Sequence, residues 1–564
     1  MDLFCAVSNS KFNFSTEDQA LLERLSPRIN GVTYPLPPPK LSPDERKRRR
    51  WAFRNERHLY HRKCDFSGKA IVTNYSPDKK LTVYSKEDWW SDNWDFRSYG
   101  RDFDFNRPFF EQFADLFAVV PKVALTTSPD ADENNCRYIN FAGSSKNCHM
   151  VFDSDFDEDC YFSNVLKHSK NCADCSYVHS SELCYECVDC TNCYALLYSQ
   201  NCASCSESYF LDQCVGCSNC CLSANLVQKQ YYFRNKPYSR EGYFRLVESL
   251  ELEKRTSVES LRESFRVSLL DFPKKYCQIL RSENCTGDYI VNSRNIHSSF
   301  NVASAEDLRY CDSLYAARNC MDVSSFGEQI DHVYQSGTIG INVTNTFFSL
   351  CAVANCADLF YSVDARMSRH CFGSAGVKRA QFCILNKQYT EEEYFRLLPR
   401  IIAHMQATGE WGEFFPISLS PFGYNETIAQ DFFPLTETEA GTLGAKWSNY
   451  LSPAPDVPAL SAEAVPDTID AVTADVLKKA IQCPISNKVF RIADPELALY
   501  RKLRIPLPTK HPDVRHQRRM ALRNPQHLWA RQCAKTGERI LSTYSPESQA
   551  IVYGESAFLE SVHA

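Results

Sequence analysis

Cys184-Tyr185-Glu186-Cys187-Val188-Asp189-Cys190-Thr191-Asn192-Cys193 decides how this chain folds, because its cysteines recur at every third residue. The lattice extends outward. Cys136, Cys148, Cys160, Cys172 and Cys184 stand twelve residues apart, and the remaining cysteines through Cys220 lie a multiple of three from Cys136. Neither spacing is a helical period. The stretch is rich in Cys, Ser, Asn, Tyr and Phe and poor in Leu and Ile. Such a pattern predicts a parallel β-solenoid, in which each rung is a short strand plus a turn and equivalent side chains stack in ladders. Twelve residues fit one narrow rung or half of a wide one.

The same run invites an iron–sulfur reading, but no Cys-Pro closes it in the ferredoxin manner. Disulfides are disfavoured by the odd total of 27 cysteines and by an opening Met1–Ser15 that lacks a signal-peptide pattern, which points to a reducing, cytoplasmic setting. Free cysteine packs as a small hydrophobe, so stacked core thiols without a cofactor are the reading carried forward.

Two duplications surround the lattice. Asn235-Lys236-x-Tyr238 and Tyr243-Phe244-Arg245-Leu246 recur at an offset of 151 as Asn386-Lys387-x-Tyr389 and Tyr394-Phe395-Arg396-Leu397. Cys160, Cys205 and Cys220 map by the same offset onto Cys311, Cys356 and Cys371. A helix closes each copy: one starts near Ser239, the other at the capping pattern Thr390-x-x-Glu393, with Gly409 to end it and Pro399 to bend it or mark its first turn. The chain's ends are also copies. Arg49-Arg50-Trp51-Ala52-Phe53-Arg54-Asn55, Tyr75-Ser76-Pro77 and Val83-Tyr84 recur 469 residues on as Arg518-Arg519-Met520-Ala521-Leu522-Arg523-Asn524, Tyr544-Ser545-Pro546 and Val552-Tyr553. The expected order is a terminal module (1–94), an aromatic connector with a helix from Pro108 (95–130), one solenoid copy (131–270), a second (271–434), an extended linker (435–475) and a terminal module (476–564).

The terminal modules carry the punctuation of a zinc ribbon without its ligands. The knuckle positions read Cys5-x-x-Ser8, Ser42-x-x-Glu45, Cys64-x-x-Ser67 and Ser85-x-x-Asp88, then Cys483-x-x-Ser486, His511-x-x-Val514, Cys533-x-x-Thr536 and Gly554-x-x-Ala557. Zinc takes four N, S or O ligands, and neutral Ser and Thr hydroxyls serve it poorly. A ribbon held by its aromatic core, with no metal, is expected, and intact zinc sites are the minor alternative. On these motifs, and on the Pro-Leu-Pro at 35–37 and 506–508, the chain resembles the large cysteine-rich proteins of candidate-phyla bacteria. Zinc-ribbon-like ends around a repetitive Cys/aromatic centre are what that resemblance implies. Some members carry a coenzyme A transferase label, for which no residue pattern stands here.

Composition bounds the function. The length of 564 residues implies several domains, and 44% hydrophobic with 23% charged residues is a globular balance. A net charge of −6 excludes a globally basic nucleic-acid wrapper, and no run approaches the roughly 18–20 apolar residues of a membrane span. The acidic run Asp153–Asp159 lacks a calcium loop's glycine and terminal glutamate, so it reads as a solvated rung edge. No nucleophile elbow, Walker loop, zincin or dinucleotide motif is present. The functional signal lies in the basic-aromatic clusters: Arg48, Arg49, Arg50, Trp51 and Arg54, and their copies Arg518, Arg519, Arg523 and Trp529. Cations pair phosphates and flat rings stack on bases, so these are candidate RNA or DNA contacts. The competing reading lays the arginines over the core or pairs them with the acidic centre. A non-enzymatic scaffold contacting nucleic acid through its ends is expected. The alternatives are an assembly component that binds protein or itself, and a carbohydrate-active enzyme on a β-helix face.

Overall fold

The computed structural model describes residues 1–128, 131 and 134–563; residue 130, the expected end of the connector, lies outside them. Strands hold 33% of the chain and helices 25%, and the larger sheets are built from parallel pairs. The repeat that pairs is twelve residues long. Along four lines set three residues apart, the chain pairs in parallel with itself twelve residues on. One line runs Lys146, Glu158, Lys170, Glu182, the next His149, Tyr161, Ala173, Tyr185. The other two run Phe152, Asn164, Ser176, Val188 and Asp155, Lys167, His179, Thr191.

The period of three is a backbone period. Two extended residues alternate with one left-handed residue, as at Asp153, Phe156, Asp159 and Phe162, whose φ values are 52°, 62°, 53° and 51°. Four such corners close a rung. Asn and Asp enter this conformation readily, whereas Val165 (φ 54°) does not. The cost at such corners, on the order of 1–2 kcal/mol each, is tolerated because the rungs above and below fix the backbone.

In each triplet the residue after the corner points inward. Cys184, Cys187, Cys190 and Cys193 fill one rung entirely, and all four are buried. The interior is too narrow for larger residues at every position, and its side chains also serve the backbone. Ser163 Oγ donates to the Tyr161 carbonyl (2.9 Å) and accepts from Cys175 N–H of the next rung (3.0 Å). Cys136 Sγ accepts from Cys148 N–H in the same manner (3.3 Å). Ser and Cys thus pair amides that the corners take out of the regular ladder.

The second half repeats the scheme with a more aliphatic interior, including Ile296, Val302, Leu308 and Leu314. Its first steps are eleven residues long, Ile279 to Ile290 and Glu283 to Arg294, and the next are twelve as far as Arg318. Three thirteen-residue steps follow: Arg318 to Asp331, Glu328 to Ile341 and Val343 to Cys356. Twelve then resumes. The offset between halves is therefore 148 before these insertions and 151 after them. Cys205 and Cys356 remain equivalent, as do Cys220 and Cys371, but the counterpart of Cys160 is Leu308 and not Cys311.

A hairpin and a helix close each half. Gln230–Phe233 turns back onto Lys236–Pro237, and Gln381–Ile384 onto Lys387–Gln388. Ser239 caps the helix Arg240–Glu248. Thr390 and Glu393 form the capping box of Glu391–Ala407, which carries Pro399 in its interior rather than in its first turn and gives way to left-handed Gly409 (φ 74°). The connector helix Phe109–Val119 packs on the second half, Phe109 meeting Tyr361 and Phe372. Its counterpart Arg255–Ser268 packs on the first half, Phe265 meeting Phe210. The segment 435–475 is not uniformly extended: it contains the capped helix Glu437–Thr442, and its Ala459–Leu460 pairs with Ala480–Ile481. Among the described residues no helix is long and apolar enough to cross a membrane.

Candidate functional site

The two basic clusters sit on equivalent helices. Ser42 caps Pro43–Trp51 by accepting Glu45 N–H, Pro43 occupies the first turn, and Asp44 and Glu45 complement the helix dipole. Arg46 and Arg50, one turn apart, therefore share a face. That face is turned onto the second half. Arg46 Nε donates to Asp322 Oδ2 (2.8 Å), and Arg50 donates to Asp322 Oδ1 (3.4 Å) and Ser324 Oγ (3.2 Å). Burial pushes the Arg50 guanidinium down to about 10, against the pull of Asp322. The copy at the other end does the same to the first half. Arg515 and Arg519 of helix Pro512–Met520 both pair with Asp174, Arg519 at 2.7 Å, and Arg519 also donates to Ser176 Oγ (3.1 Å).

A second tier lies one turn beyond. Arg54 donates to Glu56 (2.5 Å), Thr338 (2.7 Å) and Asp153 (2.8 Å), with its guanidinium 3.9 Å from the Phe141 ring centroid. Arg523 donates to Asp189 (3.0 Å) and Asn301 (2.8 Å) and lies over the rings of Tyr177 (3.5 Å) and Tyr289 (4.8 Å). These contacts match pairwise: Asp153 and Asn301, like Phe141 and Tyr289, stand 148 residues apart.

The nine residues singled out from the sequence therefore divide. Arg50, Arg54, Arg519 and Arg523 are committed to buried partners, and Trp51 is buried against Phe432 and Phe433. None of the five presents its ring or charge at the surface. Arg48 pairs with Glu45, Arg49 with Glu413 (3.6 Å) and Arg518 with Glu259 (3.3 Å); all three are half-buried, as is Trp529 beside His527. Sequence reasoning missed Arg46 and the two aspartates. The arginine pairs four residues apart in both copies were the available signal.

Two cavities open between the halves and obey the same symmetry. One, of about 260 Å³, is lined by Arg54, Phe141, Asp155, Lys167, His179 and Tyr315, among others. The second, of about 420 Å³, takes in Tyr177, Asp189, Tyr289 and Asn301, and shares His179 and Tyr315 with the first. Burial raises Asp155 to about 7 and lowers His179 to about 4. The acidic run Asp153–Asp159 is not simply a solvated edge: Asp153 holds Arg54, and Asp157 points inward and is buried.

The knuckle positions do converge. Asp88 Oδ2 accepts from Cys64 Sγ (3.1 Å), Ser67 Oγ (2.5 Å) and Ser85 Oγ (3.0 Å). Burial pushes the carboxyl up, but these three donors outweigh it and hold Asp88 below the usual range. Cys5 lies against Ser8 and the Ser42 backbone, Cys483 against Ser486 and the His511 backbone, and Cys533 against Thr536 and Gly554 N–H (3.3 Å). Among the described residues, no group of three or more His, Cys, Asp or Glu side chains is placed to hold a metal ion. In the central lattice, burial pushes the thiols of Cys175 and Cys187 well above their ordinary range. No family model and no curated protein matches the chain.

Proposed function

We propose that this protein is a non-enzymatic interaction scaffold: two β-solenoid halves locked face to face by terminal modules of zinc-ribbon descent that carry no metal. The observation that carries the reading is the crossed arginine clamp. Each basic helix spends its charge on a buried aspartate of the centre, which is what an internal lock requires and a phosphate-reading surface does not. The convergent knuckle positions, with Asp88 at the middle of one set, support the ribbon descent. The twelve-residue rungs with four inward columns support the solenoid.

Contact with RNA or DNA is the second reading. Arg48, Arg518 and Trp529, which keep part of their surface, favour it. Titrating single- and double-stranded RNA and DNA at several salt concentrations separates the two. A scaffold leaves them unbound at low salt. Binding that falls log-linearly with salt, and whose slope flattens in Arg518→Ala, would replace the scaffold reading with the nucleic-acid one.

A further inference from the structure

The two closing hairpins are built alike and covered differently. Asn386 clamps Ala375, its Oδ1 accepting the N–H and its Nδ2 donating to the carbonyl, each at 2.8 Å. Asn235 clamps Ala224 in the same way, at 2.8 and 2.7 Å. Over the second hairpin lies the acidic, aromatic stretch 95–105 of the connector. Lys387 Nζ (2.6 Å) and the Tyr389 hydroxyl (3.1 Å) both donate to Asp102 Oδ1. Arg101 N–H donates to the Leu385 carbonyl (3.1 Å), and Asn386 Nδ2 to the Phe96 carbonyl (3.4 Å). Gly100 lies so close that a Cβ there would stand 2.8 Å from Lys387 Cα.

At the first hairpin the corresponding Lys236 and Tyr238 are exposed, and neither side chain has an ion-pair or hydrogen-bond partner among the described residues. Chain length explains the difference. Eighteen residues separate the helix Lys86–Trp90 from Phe109–Val119, enough to drape across the second hairpin; six separate Arg240–Glu248 from Arg255–Ser268. The surface around Lys236 is cationic and aromatic. Lys229, Arg234, Arg240 and Arg245 are exposed and make no ion pair among the described residues, and the ring of Phe244 is exposed beside Arg240.

We propose that this open hairpin docks an extended, acidic, aromatic segment of a partner protein, its carboxylate taken by Lys236 and Tyr238 as Asp102 is taken by Lys387 and Tyr389. The proposal rests on the scaffold reading and names the chemistry of the partner. The surplus of unpaired cations complements an acidic peptide, and the covered hairpin shows the mode.

The test uses the full-length protein and a fluorescent peptide with the sequence of residues 95–105, which carries three Asp against two Arg, followed by anisotropy at low salt. Saturable binding is expected. Lys236→Glu should weaken it at least about fivefold and Tyr238→Phe less. A peptide carrying asparagine in place of Asp102 should bind more weakly, and Lys387→Ala in the protein should change nothing. Both Lys236 and Tyr238 lie at the surface, and thermal melts report that the variants fold. No binding, or binding indifferent to Lys236→Glu, overturns the proposal. So does a single-stranded oligonucleotide that binds more tightly than the peptide and displaces it from the same residues. Failure of the peptide alone leaves the scaffold reading standing, because the nucleic-acid titration tests that separately.

Discussion

Asp174 and Asp322 are equivalent residues: each sits at a left-handed corner (φ 53° and 57°), each side chain is fully shielded, and each holds two arginines from a chain end. The amino-terminal module closes on the second half and the carboxy-terminal module on the first. The chain is thus an internally symmetric pair whose locks cross, and neither half keeps its lock if the opposite end is removed.

Asp322→Ala should leave two guanidiniums buried without a counter-charge and cost about 3–5 kcal/mol. Asp174→Ala should cost a similar amount. Arg266→Ala, which removes only an exposed pair with Glu263, should cost under about 1 kcal/mol. Denaturant melts measure this, and limited proteolysis should release the module whose aspartate is lost. Equal and small effects for all three variants would show that the clamps do not hold the ends.

Asp157 supplies a pH dependence. It occupies an inward column that carries Ser145, Ser169 and Ser181 in neighbouring rungs. Its Oδ1 accepts from Ser169 N–H (2.8 Å) while Oδ2 has no partner. Burial raises it to about 8 from an ordinary 3.8. The folded state therefore binds a proton that the unfolded state has lost across that window, so stability present below pH 4 falls as pH rises towards 8. Asp157→Ser keeps an acceptor for the Ser169 amide and removes the titration. Melts between pH 5 and 8.5 should show a flatter profile for the variant and greater stability than wild type at the alkaline end. Parallel profiles would mean that Asp157 is solvated or paired.

Thiol accessibility offers an independent check on the interior. All cysteines but Cys285 and Cys351 are buried, and burial pushes the Cys351 thiol up to about 12. A thiol reagent added to the native protein should modify about one or two groups, Cys285 first, and reach the rest only on unfolding, since packing shields the other sulfurs from the reagent. Fast modification of more than about five would contradict a packed thiol lattice.

The periods of three and twelve were legible in the cysteines because Cys and Ser fill most inward positions of the first half, with Val and Leu at the others. The closing helices were legible from Ser239, Thr390 and Glu393. The left-handed corner was not read, although Asn and Asp recur there at 135, 147, 159, 171 and 174. The signal was diluted by Phe, Leu and Val at other corners, which the ladder forces into that conformation. The thirteen-residue rungs were hidden because one inserted residue leaves no composition mark, and Cys311 happened to fit the wrong offset. Pairing of the arginines with the acidic centre stood as the competing reading, but which aspartates hold them was not legible, for a plainer reason. A basic helix and an acidic corner hundreds of residues apart carry no pairing code, and exposed and buried arginines are spelled alike.

The tetrad around Asp88 permits a last prediction. Cys64, Ser67 and Ser85 already place their side-chain heteroatoms within hydrogen-bonding reach of one carboxylate oxygen, on the two knuckle turns where a ribbon would carry thiolates. Replacing Ser67, Ser85 and Asp88 together by cysteine would surround that point with four sulfurs, and Zn–S bonds of about 2.3 Å would draw them into a tetrahedron. The wild-type protein should carry less than about one zinc per chain, because a carboxylate and hydroxyls hold the position without metal. The triple variant should bind one. Its melting temperature should rise with zinc and fall with a chelator, with about 4 kcal/mol gained at a thousandfold excess over the dissociation constant. Adding Cys64→Ser to the triple variant should abolish both effects. A triple variant that melts cooperatively but takes up no zinc by elemental analysis would mean that the knuckles do not close on a common point, and the ribbon ancestry would lose its support.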